Sequence, residues 1–189
     1  MLHIRRTWFG LLFLAFFFAG PAQAAAPGVA DRLLAQMDQA TSIVQGKGNR
    51  VVWIFFDPNC PYCHRLYERL RPWVGKDNLQ FRWVPVGLLT PTSEAKAAAL
   101  LQAKDPLAAL RQSENDFDLS AEGPGGGIAP ARRIAGKTRM DLQTNLALLQ
   151  GEDINGVPLM VFRRKDGGAA LFIGAATPAQ LAQLLGAVK

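Results

Sequence analysis

Apolar and polar positions change their period several times along the chain, and each change marks an element. Across 27–45 apolar residues recur at Leu33, Leu34, Met37, Ala40 and Val44, a helical spacing that the GKGN stretch at 46–49 ends. VVWIFF at 51–56 is unbroken apolar sequence rich in β-branched and aromatic side chains, the pattern of a strand covered on both faces. Asp57-Pro58-Asn59 breaks it. Leu66, Leu70 and Trp73 then share a helical face, with Arg65, Glu68, Arg69 and Arg71 elsewhere and Pro72 closing the helix. LQFRWVPVG at 79–87 switches to period two, with Leu79, Phe81 and Trp83 alternating against Gln80 and Arg82, and predicts a second strand.

The middle of the chain is helical. An alanine-rich stretch at 93–103 follows a Thr/Ser cap region, Asp105-Pro106 is a helix start, and a further helix is expected over about 138–149. Between them EGPGGG at 122–127 reads as a flexible loop. PLMVF at 158–162 is a strand opened by a proline, RKDGG at 164–168 a turn, and AALFI at 169–173 the second arm of a hairpin. Thr177-Pro178 caps a last helix with Leu181, Leu184 and Leu185 inward. The order is strand, helix, strand, helical insert (about 90–150), strand, strand, helix. It predicts an α/β domain over 51–189, preceded by a helix and linker at 25–50.

The first 24 residues have another pattern. Arg5 and Arg6 precede an apolar run from Trp8 to Ala19, and Ala22-Gln23-Ala24 ends it, the three-part plan of a secretory signal peptide. The run is roughly 12 residues against about 20 needed to span a membrane, so the expected membrane contact ends with cleavage. The chain is therefore expected to be exported. Its net charge of +6 includes those two arginines, and the remaining basic residues are scattered apart from ARR at 131–133 and RRK at 163–165. With no basic stripe interleaved by aromatics, no nucleic-acid partner is expected. AGKT at 135–138 matches the end of a phosphate-binding loop, but Ala131 stands where its first glycine is required.

Chemistry concentrates at the only two cysteines, in FFDPNCPYCHRL at 55–66. Cys60-Pro61-Tyr62-Cys63-His64 fits a redox dithiol, half of a zinc site, or a covalent haem attachment. Zinc lacks ligands, since a structural site takes four. Haem would take His64 as an axial ligand, with Met140 or Met160 opposite, but the motif follows a buried strand rather than sitting in a helical haem protein. A structural staple is also a poor reading, because a loop this short constrains little. The redox reading has a physical basis. Cys60 falls at a helix start, where unpaired amides and the helix dipole favour a thiolate, so it is the expected nucleophile. Cys63, one turn deeper, is the expected resolving cysteine. Pro61 suits the first helical turn, Tyr62 modulates the pair, and His64 is placed to tune the thiolate. No cofactor beyond the redox-active Cys60–Cys63 disulfide, and no metal, is expected.

A buried strand, a CPYC dithiol at a helix start and a later proline-opened strand resemble the thioredoxin fold. DPNCPYCHRLYERLRPWV, VPVGLLTPTSEAKAAALLQAKDP and GVPLMVF further resemble the catalytic domain of the DsbG/DsbC family of periplasmic thiol-disulfide proteins, over roughly 51–188. The resemblance implies a thioredoxin-like fold with a helical insertion between the second strand and the cis-proline strand. It also implies that Pro158 is the cis-proline facing the dithiol, presenting the backbone of Val157 to an extended substrate. The implied activity is reduction or isomerisation of disulfides, or reduction of sulfenic acids, in periplasmic proteins with cysteines, with a DsbD-type membrane thiol donor restoring the dithiol. Two features depart from the family. Residues 25–50 leave room for one helix and not for an N-terminal dimerisation domain, so a monomer, or a dimer made some other way, is expected. Val157 stands where the family carries threonine; valine is the residue of the DsbA oxidases, which keeps a disulfide oxidase open as the alternative. A chaperone or assembly factor that binds chains in the same groove is the non-enzymatic alternative.

Overall fold

A computed structural model describes residues 27–120, 123 and 125–189; the signal peptide expected at 1–24 lies outside these residues. In order, the chain forms α1 (Val29–Ala35), β1 (Ile43–Gln45), β2 (Arg50–Phe56), α2 (Pro61–Leu70), β3 (Leu79–Pro85), α3 (Ser93–Gln102), α4 (Pro106–Asn115), α5 (Gly136–Gln150), β4 (Leu159–Arg163), β5 (Ala169–Ile173) and α6 (Pro178–Ala187). Short 3₁₀ turns at Met37–Gln39 and Arg71–Trp73 follow α1 and α2. The five strands form one sheet in the order β1-β3-β2-β4-β5. β2 and β3 are parallel, and the other neighbours are antiparallel. The helical insert α3–α5 falls between β3 and β4, as the hydrophobic pattern predicts.

The N-terminal stretch corrects one expectation. The helix expected over 27–45 ends at Ala35, and Ile43–Gln45 is an edge strand with Ile43 opposite Trp83 and Gln45 opposite Phe81. Ile43 and Gln45 point inward and Val44 outward, a period of two too short to stand out beside the helical spacing of the leucines before it. The sheet therefore begins before residue 51, within the stretch assigned to the helix and linker.

β2 is covered on both faces. Val52, Ile54 and Phe56 join Phe81, Trp83, Met160 and Phe162 in a core closed by Leu66 and Leu70 of α2, Leu110 of α4 and Leu181 and Leu185 of α6. Trp53 and Phe55 face the other way, with Val84, Leu159 and Val161, beneath Leu33, Met37, Leu148 and Leu149. Each such fully buried side chain contributes roughly 1.5–3 kcal/mol, so the strand that carries the site is fixed from both sides. A smaller cluster of Ala97, Ala98 and Leu142 holds α3 to α5 within the insert. Caps set where the helices start. Asp105 accepts from the Ala108 amide at 3.0 Å, and Thr177 and Gln180 close a reciprocal capping box before Pro178.

Candidate active site

β2 ends at Phe56, and the Asp57-Pro58-Asn59 turn carries the chain to Cys60, the N-cap of α2. Pro61 occupies the first turn, where its missing amide hydrogen leaves no bond unmade. The Cys63 amide donates to Cys60 Sγ at 3.2 Å, so the sulfur takes the place that a serine or aspartate oxygen holds in an ordinary cap. Both cysteines are free thiols and both are buried.

Their surroundings push the two thiols apart. The Cys63 thiol and the backbone amides of Cys63 and Tyr62 hold Cys60 below the ordinary thiol value, against burial and the negative charge of Asp57. Burial, reinforced by Cys60, pushes Cys63 well above it. One sulfur is thus shifted towards the thiolate and the other towards the thiol, an asymmetry that suits a nucleophile and a resolving cysteine.

The Val157–Pro158 peptide bond is cis. The Val157 carbonyl oxygen lies 3.7 Å from Cys60 Sγ, and the Gly174 amide donates to the Pro158 oxygen at 2.7 Å, tying the segment to the end of β5. Among the described residues the Val157 N–H donates to no protein acceptor. An extended chain laid beside it would find an unspent donor a residue away from the reactive sulfur.

Cys60, Cys63, Val157 and Pro158 therefore meet in one place. Tyr62 stands on the rim, 60% exposed, with the Arg65 guanidinium 5.5 Å from its ring centroid. His64 is placed differently. Its Nδ1 lies 3.0 Å from the Glu114 carboxylate of α4, and its ring stacks on Phe117 at 4.4 Å, so it joins the catalytic helix to the insert. Glu114 is buried, and burial pushes its carboxyl above the usual range while His64 works against that shift.

Three further features around Cys60 escape a sequence reading. Asp57 is fully buried and accepts from the amides of Asn59 (2.8 Å), Leu88 (2.7 Å) and Leu89 (2.9 Å) and from the Ser93 hydroxyl (2.8 Å). The Asn59 side chain donates to Thr90 and Thr92 at 2.7 and 2.9 Å, stitching the same turn to the loop before α3. Finally, Gly125–Gly127 are a packed strap rather than the flexible loop their composition suggests. The Gly126 amide donates to the Pro58 oxygen at 2.7 Å, the Gly127 amide to Ser113, and Lys96 Nζ to the Gly126 oxygen at 2.8 Å. A Cβ on Gly125, Gly126 or Gly127 would run into Asn59 Oδ1, Ser113 Oγ or Asp116 respectively, so the glycines serve close approach. The signal for all three was slight: an acid after an apolar strand, a Thr/Ser-rich loop and a glycine run, far apart in sequence.

Comparison with known proteins places the chain in a family. Residues 37–189 match the family model described as a thioredoxin-like domain. The chain is 35% identical over 160 residues to the thiol:disulfide interchange protein DsbG of Pseudomonas aeruginosa, covering 84% of this chain and 60% of that one. It is 40% identical over 81 residues to the DsbG of Escherichia coli, covering 42% and 33% of the two chains. It thus spans less than two thirds of the length of these relatives. Among solved structures, the catalytic domain of Proteus mirabilis ScsC superposes with a TM-score of 0.62 at 19% identity, covering 83% of this chain and 96% of that one, a likeness of fold.

Proposed function

Since the chain belongs to the thioredoxin-like domain family, we propose that it is a thiol-disulfide oxidoreductase of the DsbG type, acting on cysteine-containing proteins of the periplasm. The carrying observation is the opposed environment of the two thiols, one held low at a helix N-cap and the other driven high by burial, beside the Val157 carbonyl. The Cys60 thiolate attacks one sulfur of a substrate disulfide. A mixed disulfide forms and the other substrate sulfur leaves as a thiolate. Cys63 then gives up its proton to the departed substrate thiolate or to solvent and attacks Cys60 Sγ. The Cys60–Cys63 disulfide forms and the second substrate thiol is released, so two electrons pass to the substrate. In isomerisation a substrate thiol attacks the mixed disulfide instead, and the dithiol is regenerated without net electron flow. With a sulfenic acid, the Cys60 thiolate attacks the oxidised sulfur, the same kind of mixed disulfide forms, and hydroxide leaves and takes a proton from solvent to become water. The reducing direction needs an electron supply, which a membrane thiol donor of the DsbD type would provide. The open Val157–Pro158 side supports an extended polypeptide as substrate, and no partner subunit is invoked.

Two measurements test this. Cys63→Ala should accumulate a protein–substrate mixed disulfide through Cys60, seen on a non-reducing gel and lost on reduction. A variant that accumulates none, while folded and given a disulfide substrate, would sink the dithiol reading and leave a binding module. Acid quenching of cells, alkylation and intact mass then give the direction. Two alkyl groups support reduction or isomerisation, whereas a closed disulfide supports a DsbA-like oxidase.

A further inference from the structure

The acid nearest the dithiol has an unusual set of partners, and all of them donate. Asp57 Oδ2 receives the amides of Leu88 and Leu89, and Oδ1 receives the amide of Asn59 and the hydroxyl of Ser93. The Ser93 oxygen itself accepts from the Thr90 amide at 3.0 Å, which leaves its hydrogen for Asp57. Neither carboxylate oxygen faces a group that could take a proton from it. This is how an ionised carboxylate is held in place. It is not how a proton relay is built, since a relay needs an oxygen free to receive.

The anion is joined to the reactive sulfur by a short, stiff path. The Asp57 carbonyl accepts the Cys60 amide at 3.0 Å, its side chain closes the turn at Asn59, and the Gly126 amide holds the Pro58 carbonyl between them. β2, packed on both faces, fixes the other end. We propose that Asp57 is a positioning residue of the dithiol: a fixed, fully hydrogen-bonded anion that sets the height of Cys60 and, by opposing negative charge there, biases the Cys60–Cys63 pair towards its disulfide. A group that disfavours the thiolate disfavours the dithiol form, and so makes the pair a stronger reductant. The electrostatic influence of Asp57 on both thiols runs in this direction. The inference deepens the oxidoreductase reading and rests on it.

The test is the equilibrium of the purified protein with reduced and oxidised glutathione, read by alkylation and mass, together with the pH profile of Cys60 alkylation. Asp57→Asn should raise the equilibrium share of the dithiol, by about three- to tenfold in the equilibrium constant, the scale of one charge strongly screened by the donors around it. The alkylation midpoint should move to lower pH. A folded Asp57→Asn protein whose equilibrium stays within twofold, or moves towards the disulfide, overturns the proposal. So does a variant in which Cys60 acidity is unchanged and only resolution by Cys63 slows, since that marks a proton acceptor. Ser93→Ala keeps the anion while removing one donor, and covers the case in which Asp57→Asn fails to fold. It should lower stability without raising the dithiol share, and a rise would overturn the proposal. None of these readings needs substrate turnover. A chain that exchanges with glutathione as expected but traps no protein substrate would sink the proposed function and leave this inference standing.

Discussion

The two sides of Cys60 are built differently. On one side lies the Val157–Pro158 segment, with a carbonyl 3.7 Å from the sulfur and an N–H that meets no described acceptor. On the other, Asp57, Asn59, Ser93 and Gly126 form a wall in which nearly every polar atom is spent on a neighbour at 2.7–3.0 Å. The open side has hydrogen-bonding capacity left for a visitor, while on the wall side the unpaired Ser113 Oγ is buried and out of a visitor's reach. The proposed exchange with cysteine-containing chains would draw on both. It needs backbone to offer, which is indifferent to the visitor's side chains, and a rigid base from which the nucleophile does not move.

The largest effect expected is at the junction of the two sides. Cys60→Ala should lower disulfide reduction by at least about a thousandfold while stability falls by only about 1 kcal/mol, because it removes the bond-forming atom and one cap hydrogen bond. Residual activity within tenfold of the parent would move the chemistry elsewhere. The parent's alkylation should also follow the sign of its thiol shift. Cys60 lies below the ordinary thiol value, so its reactivity should persist to lower pH than that of a free cysteine. The same shift stabilises the reduced fold. That stability is fully present above the ordinary thiol value and is lost as pH falls through the lowered one. A midpoint at or above that of a free cysteine would contradict the N-cap geometry.

The saturated wall should break next. Gly126→Ala would place a Cβ against Ser113 Oγ and the Pro58 carbonyl, and overpacking of this kind costs about 1–3 kcal/mol. The urea midpoint should fall by a corresponding amount, whereas a neutral result would mean the strap has slack. His64→Ala tests the seam behind the wall. It strands the buried Glu114 carboxyl, at a cost of about 1–3 kcal/mol. Burial already raises that carboxyl, so the folded chain holds the proton more tightly than the unfolded one. Stability from this group is present below the ordinary carboxylate value and fades as pH rises through the raised value. Without His64 to oppose it the fading should be steeper, so the gap between parent and variant should widen with pH. A flat gap would show that the pair contributes nothing.

The same contrast explains what the sequence made legible. Cys60, Cys63 and the strand before them are contiguous, and the physics that prepares them (a buried strand, a turn, a helix start) is local enough to read from spacing. β2, β3 and the hairpin follow from period-two runs, and α6 from Thr177-Pro178. The wall is assembled from residues 57–59, 88–93, 113 and 125–127, which meet only through tertiary packing. Read alone, Asp57 breaks a strand, Ser93 starts a helix and the glycines make a loop. β1 failed for a related reason: three residues carry too little periodicity to outweigh the leucine spacing before them, and only pairing with β3 defines the strand.

The smallest effect expected is on the open side, at Val157, which stands where the DsbG/DsbC family carries threonine. If this side works through its backbone, the side chain matters little. Val157 is half-buried between the two cores, so Val157→Thr trades one methyl for a hydroxyl near the surface. Stability should change by under about 1 kcal/mol. The alkylation midpoint of Cys60 should stay put, and the rate of mixed-disulfide trapping in a Cys63→Ala background should stay within about threefold. A hydroxyl that reached the sulfur would instead donate to the thiolate, lower the midpoint and shift the glutathione equilibrium towards the dithiol. That outcome would make Val157 a second control on the dithiol, opposite Asp57 in place and in sign. The open side would then take part in setting the reactivity of Cys60, where its geometry assigns it only the reception of the substrate.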